Sequence, residues 1–339
     1  MNQPTKLTLF FVLLPLLIIG LFAISLSYGS VDIPLGDLIH ILEGSADVKK
    51  SWLFIIQEFR LPKALSAILA GSALSVSGLL MQTLFRNPLA GPFVLGISNG
   101  ASLGVALLVL SGGVILGFHS ESSWGSVIMA ILGASLVMTM VMLVSTRVKD
   151  NVSLLIIGIM IGSITGAIVT VLQFFSSAES LEAYIIWTFG SLAGIGWLQL
   201  KVLAPLVFIG LSLAFIMQKQ LNALLLGNFY AQGLGVQIKR TRTIVIIATC
   251  ILAGSVTAFA GPIAFLGLAV PHIARAILRT SDHKILIPAT ILIGAALLLA
   301  CDITAQLPGS KSVLPLNAVT SMVGAPVVIW VVMKAKRIV

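Results

Sequence analysis

The residues of this chain that could do covalent chemistry are few and far apart. Its four histidines, His40, His119, His272 and His283, are scattered through 339 residues, and no His-Glu-x-x-His pair exists to hold zinc on one helix face. Cys250 and Cys301 stand alone in apolar runs. Their spacing suits neither a zinc site nor a redox pair, so both read as small packing residues. No Gly-x-x-x-x-Gly-Lys-Ser/Thr loop is present, so nucleotide phosphates are not cradled in that way. No catalytic residue, resident metal or cofactor is expected. What remains is a chemistry of passage and docking. The run from Gly261 to Arg275 is apolar enough for a bilayer, yet Pro262, Gly267 and Pro271 break it and His272 and Arg275 close it. Broken helices persist at membrane depth only where neighbouring protein or a watery cavity satisfies the freed backbone groups. This reads as a transport segment rather than an anchor, with His272 a helix-end hydrogen-bonding residue rather than a metal ligand. Arg60-Leu61-Pro62-Lys63 places two cations at the mouth of a span, and Asn87-Pro88-Leu89-Ala90-Gly91-Pro92 reads as a proline-bounded turn.

The elements that must position these residues are membrane helices. The chain is 58% hydrophobic and 9% charged, with a mean hydropathy of +1.12; an ordinary soluble domain carries about 25% charged residues. Apolar runs of the length needed to cross a bilayer fall at about 7–27, 62–84, 93–111, 125–145, 152–174, 198–217, 243–260, 262–278, 285–301 and 314–333. This predicts an all-α polytopic protein of about ten transmembrane helices, with residues 1–339 forming a single membrane domain. The first run follows Lys6 and lacks a small-residue cleavage site, so it reads as a retained helix. Most of the 20 Lys and Arg fall on the side of both termini, which places the termini in the cytoplasm. The spans hold almost no ionisable residue, and Asp302 lies at an end. Ion-coupled carriers keep acids within the membrane, so the driving energy is expected from elsewhere; an ATP-independent secondary carrier is the rival reading.

Two connections exceed simple turns. Residues 29–61 form the longer outer one, with Trp52 and Phe54 as interfacial anchors. Residues 221–237, inside, read as two short helices with a Gly227-Asn228 break. Interfacial helices usually carry Lys or Arg along their polar face, and this stretch is nearly uncharged before Lys239, so it reads as a docking surface for a cytoplasmic protein. Ile68-Leu69-Ala70-Gly71-Ser72 with Gly78 recurs as Ile251-Leu252-Ala253-Gly254-Ser255 with Gly261, in the pattern of an inverted repeat. Gly96, Gly100 and Gly104 form a small-residue row that lets helices approach closely.

Taken in order, Arg60-Leu61-Pro62-Lys63, Ala70-Gly71, Ser77-Gly78, Met81-Gln82, Arg86 to Pro92, Leu95 to Ala101, Phe265 to Leu268, Val270 to Arg275, Asp282-His283, Asp302 and Gly324-Ala325-Pro326 make the chain resemble the FecCD family, the permease subunits of type II ABC importers for iron–siderophores, haem or cobalamin. The resemblance runs from about residue 55 onward. It implies the type II importer permease fold with an inverted internal repeat, a homodimer or a pair with a similar permease, two cytoplasmic ATP-binding subunits below and a periplasmic or lipid-anchored substrate-binding protein above, all in the bacterial inner membrane. ATP would be hydrolysed by the partner. Iron–siderophore is the expected cargo, with haem and cobalamin as alternatives. The resemblance gives binding-protein docking to Arg60 and Lys63, with Lys311 in place of a missing basic residue near Gln306. It gives the cytoplasmic gate to Asn87, Leu89, Asn151 and Val152. ATPase coupling falls to Asn222, Leu225, Leu226, Gly227, Asn228, Ala231, Gly233, Leu234 and Gly235. Pro88, Gly96, Pro271, His272, Arg275 and Pro326 complete its structural motif. Lys63 stands where the family commonly has Arg, which loses the planar fork suited to carboxylates, and Leu316-Asn317 departs from a commoner Pro-Val-Gly pattern.

Overall fold

The computed structural model describes residues 3–29, 31, 33–34, 36–37, 49–111, 114–115, 118–119, 123–148, 151–306 and 313–335. Lys311 lies outside the described residues, and of Asn151 only the backbone is described. The described residues are almost wholly helical. We number the helices α1 Gln3–Ser27, α2 Lys50–Phe85, α3 Ile97–Leu110, α4 Ser123–Arg147, α5 Asn151–Phe175, α6 Ala178–Thr188, α7 Trp197–Ile216, α8 Gln218–Leu225, α9 Asn228–Gly233, α10 Ile238–Ala260, α11 Leu266–Leu278, α12 His283–Ala305 and α13 Leu316–Ala335. A two-residue antiparallel ladder, Val114–Ile115 with Phe118–His119, is the sole strand pairing among the described residues.

Seven of these helices are long and apolar enough to cross a membrane. α3 and α11 are shorter, at 14 and 13 residues, or about 20 Å of rise each. Each is preceded by a lead outside the α-helix, the 3₁₀ turn Pro92–Leu95 before α3 and the non-helical Gly261 to Phe265 before α11. Together with α13 they bring the apolar helices, long and shorter, to ten among the described residues, in keeping with the about ten that the hydropathy pattern predicts.

Two elements differ most from the sequence reading. The second span was expected from residue 62, but α2 begins at Lys50 and takes up the end of the 29–61 connection. Pro62 has no N–H for Glu58 and its ring would crowd that carbonyl. The segment Ile55–Arg60 therefore widens into a π turn, in which the Leu61 N–H reaches back to the Ile56 carbonyl, and the helix continues through the proline. The second difference is α6, which hydropathy did not register; Ser177 caps it by accepting from the Ser180 N–H.

α2 is the axis of the molecule. In its membrane-like window 83% of residues are buried inside the protein, against none in that of α1. Small residues make this burial close: a Cβ on Gly71 or on Gly78 would collide with the backbone of Gly294 in α12 or of Gly267 in α11. The echo noted at Gly78 and Gly261 diverges in three dimensions. The first copy is regular helix, whereas the second lies in the π turn Cys250–Gly254, and Gly261 ends α10 at φ +73°.

Candidate gate, coupling surface and opposite mouth

The break before α11 is built by specific backbone partners. The Ala264 N–H donates to the Asn317 side-chain oxygen at 3.0 Å, and the Ser191 N–H donates to the Ala260 carbonyl at 2.8 Å. Asn317 belongs to the Leu316-Asn317 pair that departs from the commoner Pro-Val-Gly pattern, and its side chain satisfies a backbone N–H freed by the break. Within α11, Pro271 cannot donate to the Gly267 carbonyl. The Gln82 amide of α2 fills that vacancy, donating toward the Gly267 and Leu268 carbonyls at 3.4 and 3.2 Å. Its oxygen accepts from Arg275 at 2.6 Å. His272 donates through Nε2 to the Pro88 carbonyl at 2.8 Å. Thus Pro271, His272 and Arg275 tie α11 to the end of α2 and to the turn after it.

That turn is set by left-handed Arg86 at φ 49°, which stops α2. The Asn87 side-chain oxygen accepts the Leu89 N–H at 2.9 Å, leaving the Leu89 side chain exposed. Gly96, at φ +70°, then turns the chain into α3. Asn151 and Val152 open α5, the helix that packs on the Pro92–Leu95 lead, and Val152 is exposed. Pro326 lies inside α13.

α8 and α9 flank Gly227, whose φ of +106° no L side chain adopts comfortably. Leu221, Ala223, Leu224 and Ala231 turn inward. Leu226, Phe229, Tyr230 and Leu234 turn outward around a cleft of about 440 Å³ that Gly233 also lines. Phe229 and Tyr230 were not among the expected coupling residues. Their signal was two adjacent aromatics in an interhelical segment with no core for them to fill. Leu225 is half-buried and Asn228 also, while Gly235 (φ +82°) closes the pair. Asn222 faces inward. Its amide donates to Asp282 Oδ1 at 2.7 Å, and its oxygen accepts from the His283 N–H at 2.9 Å and lies 2.6 Å from His283 Nδ1. The Asn222 amide, followed by the Lys284 N–H, holds the Asp282 carboxyl below the ordinary carboxylate range. Arg86 approaches the Gly227 break within 4 Å of where a Cβ would stand, so the turn and the α8–α9 pair are neighbours.

At the other end, Arg60 and Lys63 point inward rather than into solvent. Arg60 is 8% exposed and donates to the Leu26 and Ser27 carbonyls at 2.7 Å each and to the Val31 carbonyl. It thereby clasps the carbonyl end of α1, where a cation is favoured. Lys63 Nζ lies 3.0 Å from Asp302 Oδ1, in a pair that is 16% and 5% exposed. Gln306 donates to Asp302 Oδ2 at 3.1 Å. These three border a cavity of about 130 Å³ with Gly190, Ser191 and Leu314.

The FecCD transport family profile matches residues 16–334. The chain is 37% identical over 324 residues to the vitamin B12 import system permease protein BtuC of Klebsiella pneumoniae, covering 95% of this chain and 93% of that protein. It is 36% identical over 285 residues to its Escherichia coli O9:H4 counterpart, covering 84% and 85%. Among solved structures, a metal-chelate type ABC transporter in an inward-facing conformation superposes with a TM-score of 0.84 at 29% identity, over 96% of this chain and 99% of that one. PsaBC from Streptococcus pneumoniae shares the fold at a TM-score of 0.52 and 16% identity, over 86% and 94%. With a match over nearly its whole length, this multi-pass membrane protein belongs to the FecCD transport family.

Proposed function

We propose that the chain is the permease subunit of an ATP-driven importer of metal chelates in the bacterial inner membrane, working with ATP-binding subunits and a substrate-binding protein. The observation that carries this reading is the apolar face of Leu226, Phe229, Tyr230 and Leu234, exposed beside the Gly227 break that Arg86, in the turn ending α2, approaches. An apolar patch outside the bilayer marks a protein partner, and here it adjoins the element that would open a pathway. Both termini and the α8–α9 pair are cytoplasmic in this assignment. The ATPase binds the α8–α9 face, and Asn87, Leu89, Asn151 and Val152 close the inner side. Two copies of the chain enclose the pathway. The binding protein docks at the opposite mouth, where Lys63 exchanges Asp302 for a carboxylate of the docking protein and Lys311 adds a second cation. Arg60 acts there by holding α1 in place. Import comes from docking and rocking; no residue of this chain hydrolyses ATP.

The cargo we propose is ferric siderophore or cobalamin. The metal-chelate transporter supports the class, and the B12 permeases support the corrinoid. The test is uptake into proteoliposomes holding the chain, its ATPase and its binding protein, with ferric siderophore, haem and cyanocobalamin offered in parallel. ATP-dependent accumulation of one chelate is expected, and Phe229→Asp is expected to abolish both ATPase binding and uptake. Accumulation without ATP would overturn the importer in favour of a secondary carrier.

A further inference from the structure

His283 is fully buried where α8, α12 and α2 meet, and every polar atom of its ring is used. Nδ1 lies 2.6 Å from the Asn222 side-chain oxygen, which also accepts the His283 backbone N–H. That oxygen cannot donate, so Nδ1 carries the proton. Nε2 is then the acceptor for the Thr83 hydroxyl, 2.8 Å away. The Asn222 amide is oriented in turn by Asp282, which it donates to at 2.7 Å. Asn222 stands on α8 and Thr83 in the last turn of α2, three residues before the left-handed Arg86 that begins the turn of Asn87 and Leu89.

We propose that His283 is the positioning residue that transmits displacement of α8 to the gate turn, through Asn222 on one side and Thr83 on the other. This rests on the importer reading and names the link within it. The apolar contacts of Leu221 and Leu224 also join α8 to its neighbours, but apolar surfaces are non-directional and slide at small cost. Buried hydrogen bonds fix direction and distance, and leaving one unmade in a dry site is costly. A movement of α8 therefore carries His283 and the end of α2 with it. At that end His272 on Pro88 and Arg275 on Gln82 make the turn follow.

The test compares Thr83→Val, which keeps the side-chain shape and removes the hydroxyl, with Thr83→Ser, which restores it. Both are assayed in proteoliposomes with the ATPase and binding protein, using radiolabelled cyanocobalamin and a ferric hydroxamate siderophore. Cargo moved per ATP hydrolysed is expected to fall about tenfold in Thr83→Val, the weight of one buried hydrogen bond, with hydrolysis itself retained and Thr83→Ser near wild type. A second measurement places spin labels at exposed Lys219 and Leu89. Their separation is expected to stay constant on ATP binding in the otherwise unaltered protein and to change in Thr83→Val. An unchanged cargo-to-ATP ratio, or uptake and hydrolysis falling together in step with a lower melting temperature, would overturn the link. Absence of ATP-driven uptake by the unaltered protein counts against the importer reading alone; the label separation still decides the link.

Discussion

Replacing Lys63 by Met tests whether its charge belongs to the fold or to a surface. The Nζ–Oδ1 distance is 3.0 Å and the two side chains are 16% and 5% exposed. At an effective dielectric constant of about 20, two unit charges at that separation attract by about 5.5 kcal/mol. Desolvation of both groups offsets much of this, but it is a cost that removing one partner does not recover for the other. Lys63→Met leaves the Asp302 carboxylate with Gln306 as its remaining side-chain donor and is expected to cost about 3–5 kcal/mol, the usual penalty for an orphaned buried charge. Asp302→Asn strands the more exposed partner, whose flexible stem carries its ammonium outward, and costs less, about 1–3 kcal/mol, as for a group left without its partner. The double variant Lys63→Met with Asp302→Asn removes both charges and is expected to regain most of the larger loss. The assay is a double-mutant cycle on detergent-solubilised protein, followed by thermal unfolding with a thiol-independent dye. Additivity of the two single effects within about 0.5 kcal/mol would refute the reasoning. So would a cost below about 1 kcal/mol for Lys63→Met, the value of an exposed pair.

Four further outcomes are expected. Gly100→Ala would put a Cβ 2.6 Å from the Gly133 carbonyl and 2.7 Å from Val137, costing about 1–3 kcal/mol by overpacking. Gly166→Ala, with open space around it, should be neutral or stabilising by up to about 1 kcal/mol; equal melting temperatures for the two would deny the close α3–α4 approach. Arg60→Lys keeps the charge but not the fork that reaches three carbonyls, so limited proteolysis should release α1 faster than in wild type. The depressed Asp282 carboxyl contributes stability that is full above its unfolded value near about 4 and is lost as pH falls through the lower folded value. The melting-temperature gap between wild type and Asp282→Asn should therefore be constant from pH 5 to 8 and shrink on acidification below that; a constant gap throughout contradicts the assignment.

Hydropathy and breakers made the helices and the interhelical surface at 221–237 legible, because lipid demands long apolar runs and backbone breaks stand out against them. Gly227 was readable as a break, since glycine after a helical run announces its own backbone. The facing of side chains was not. Arg60 and Lys63 looked like outward cations because their partners, the Leu26, Ser27 and Val31 carbonyls and Asp302, are distant in sequence. Phe229 and Tyr230 emerged as the exposed face only once Leu224 and Ala231 had taken the inward positions.

The contrast between α1 and α2 shows where the division falls. α1 is the more apolar, with a window hydropathy of 2.9 against 1.8, and composition alone determined that both enter the membrane. Yet none of the α1 window is buried and 83% of the α2 window is. Lipid tails are as apolar as leucine, so hydropathy cannot distinguish a wall of lipid from a wall of protein. Tertiary packing decides it, through Gly71 and Gly78 admitting the backbones of α12 and α11 and through Gln82 and Thr83 finding carbonyl and imidazole partners nearly 200 positions away.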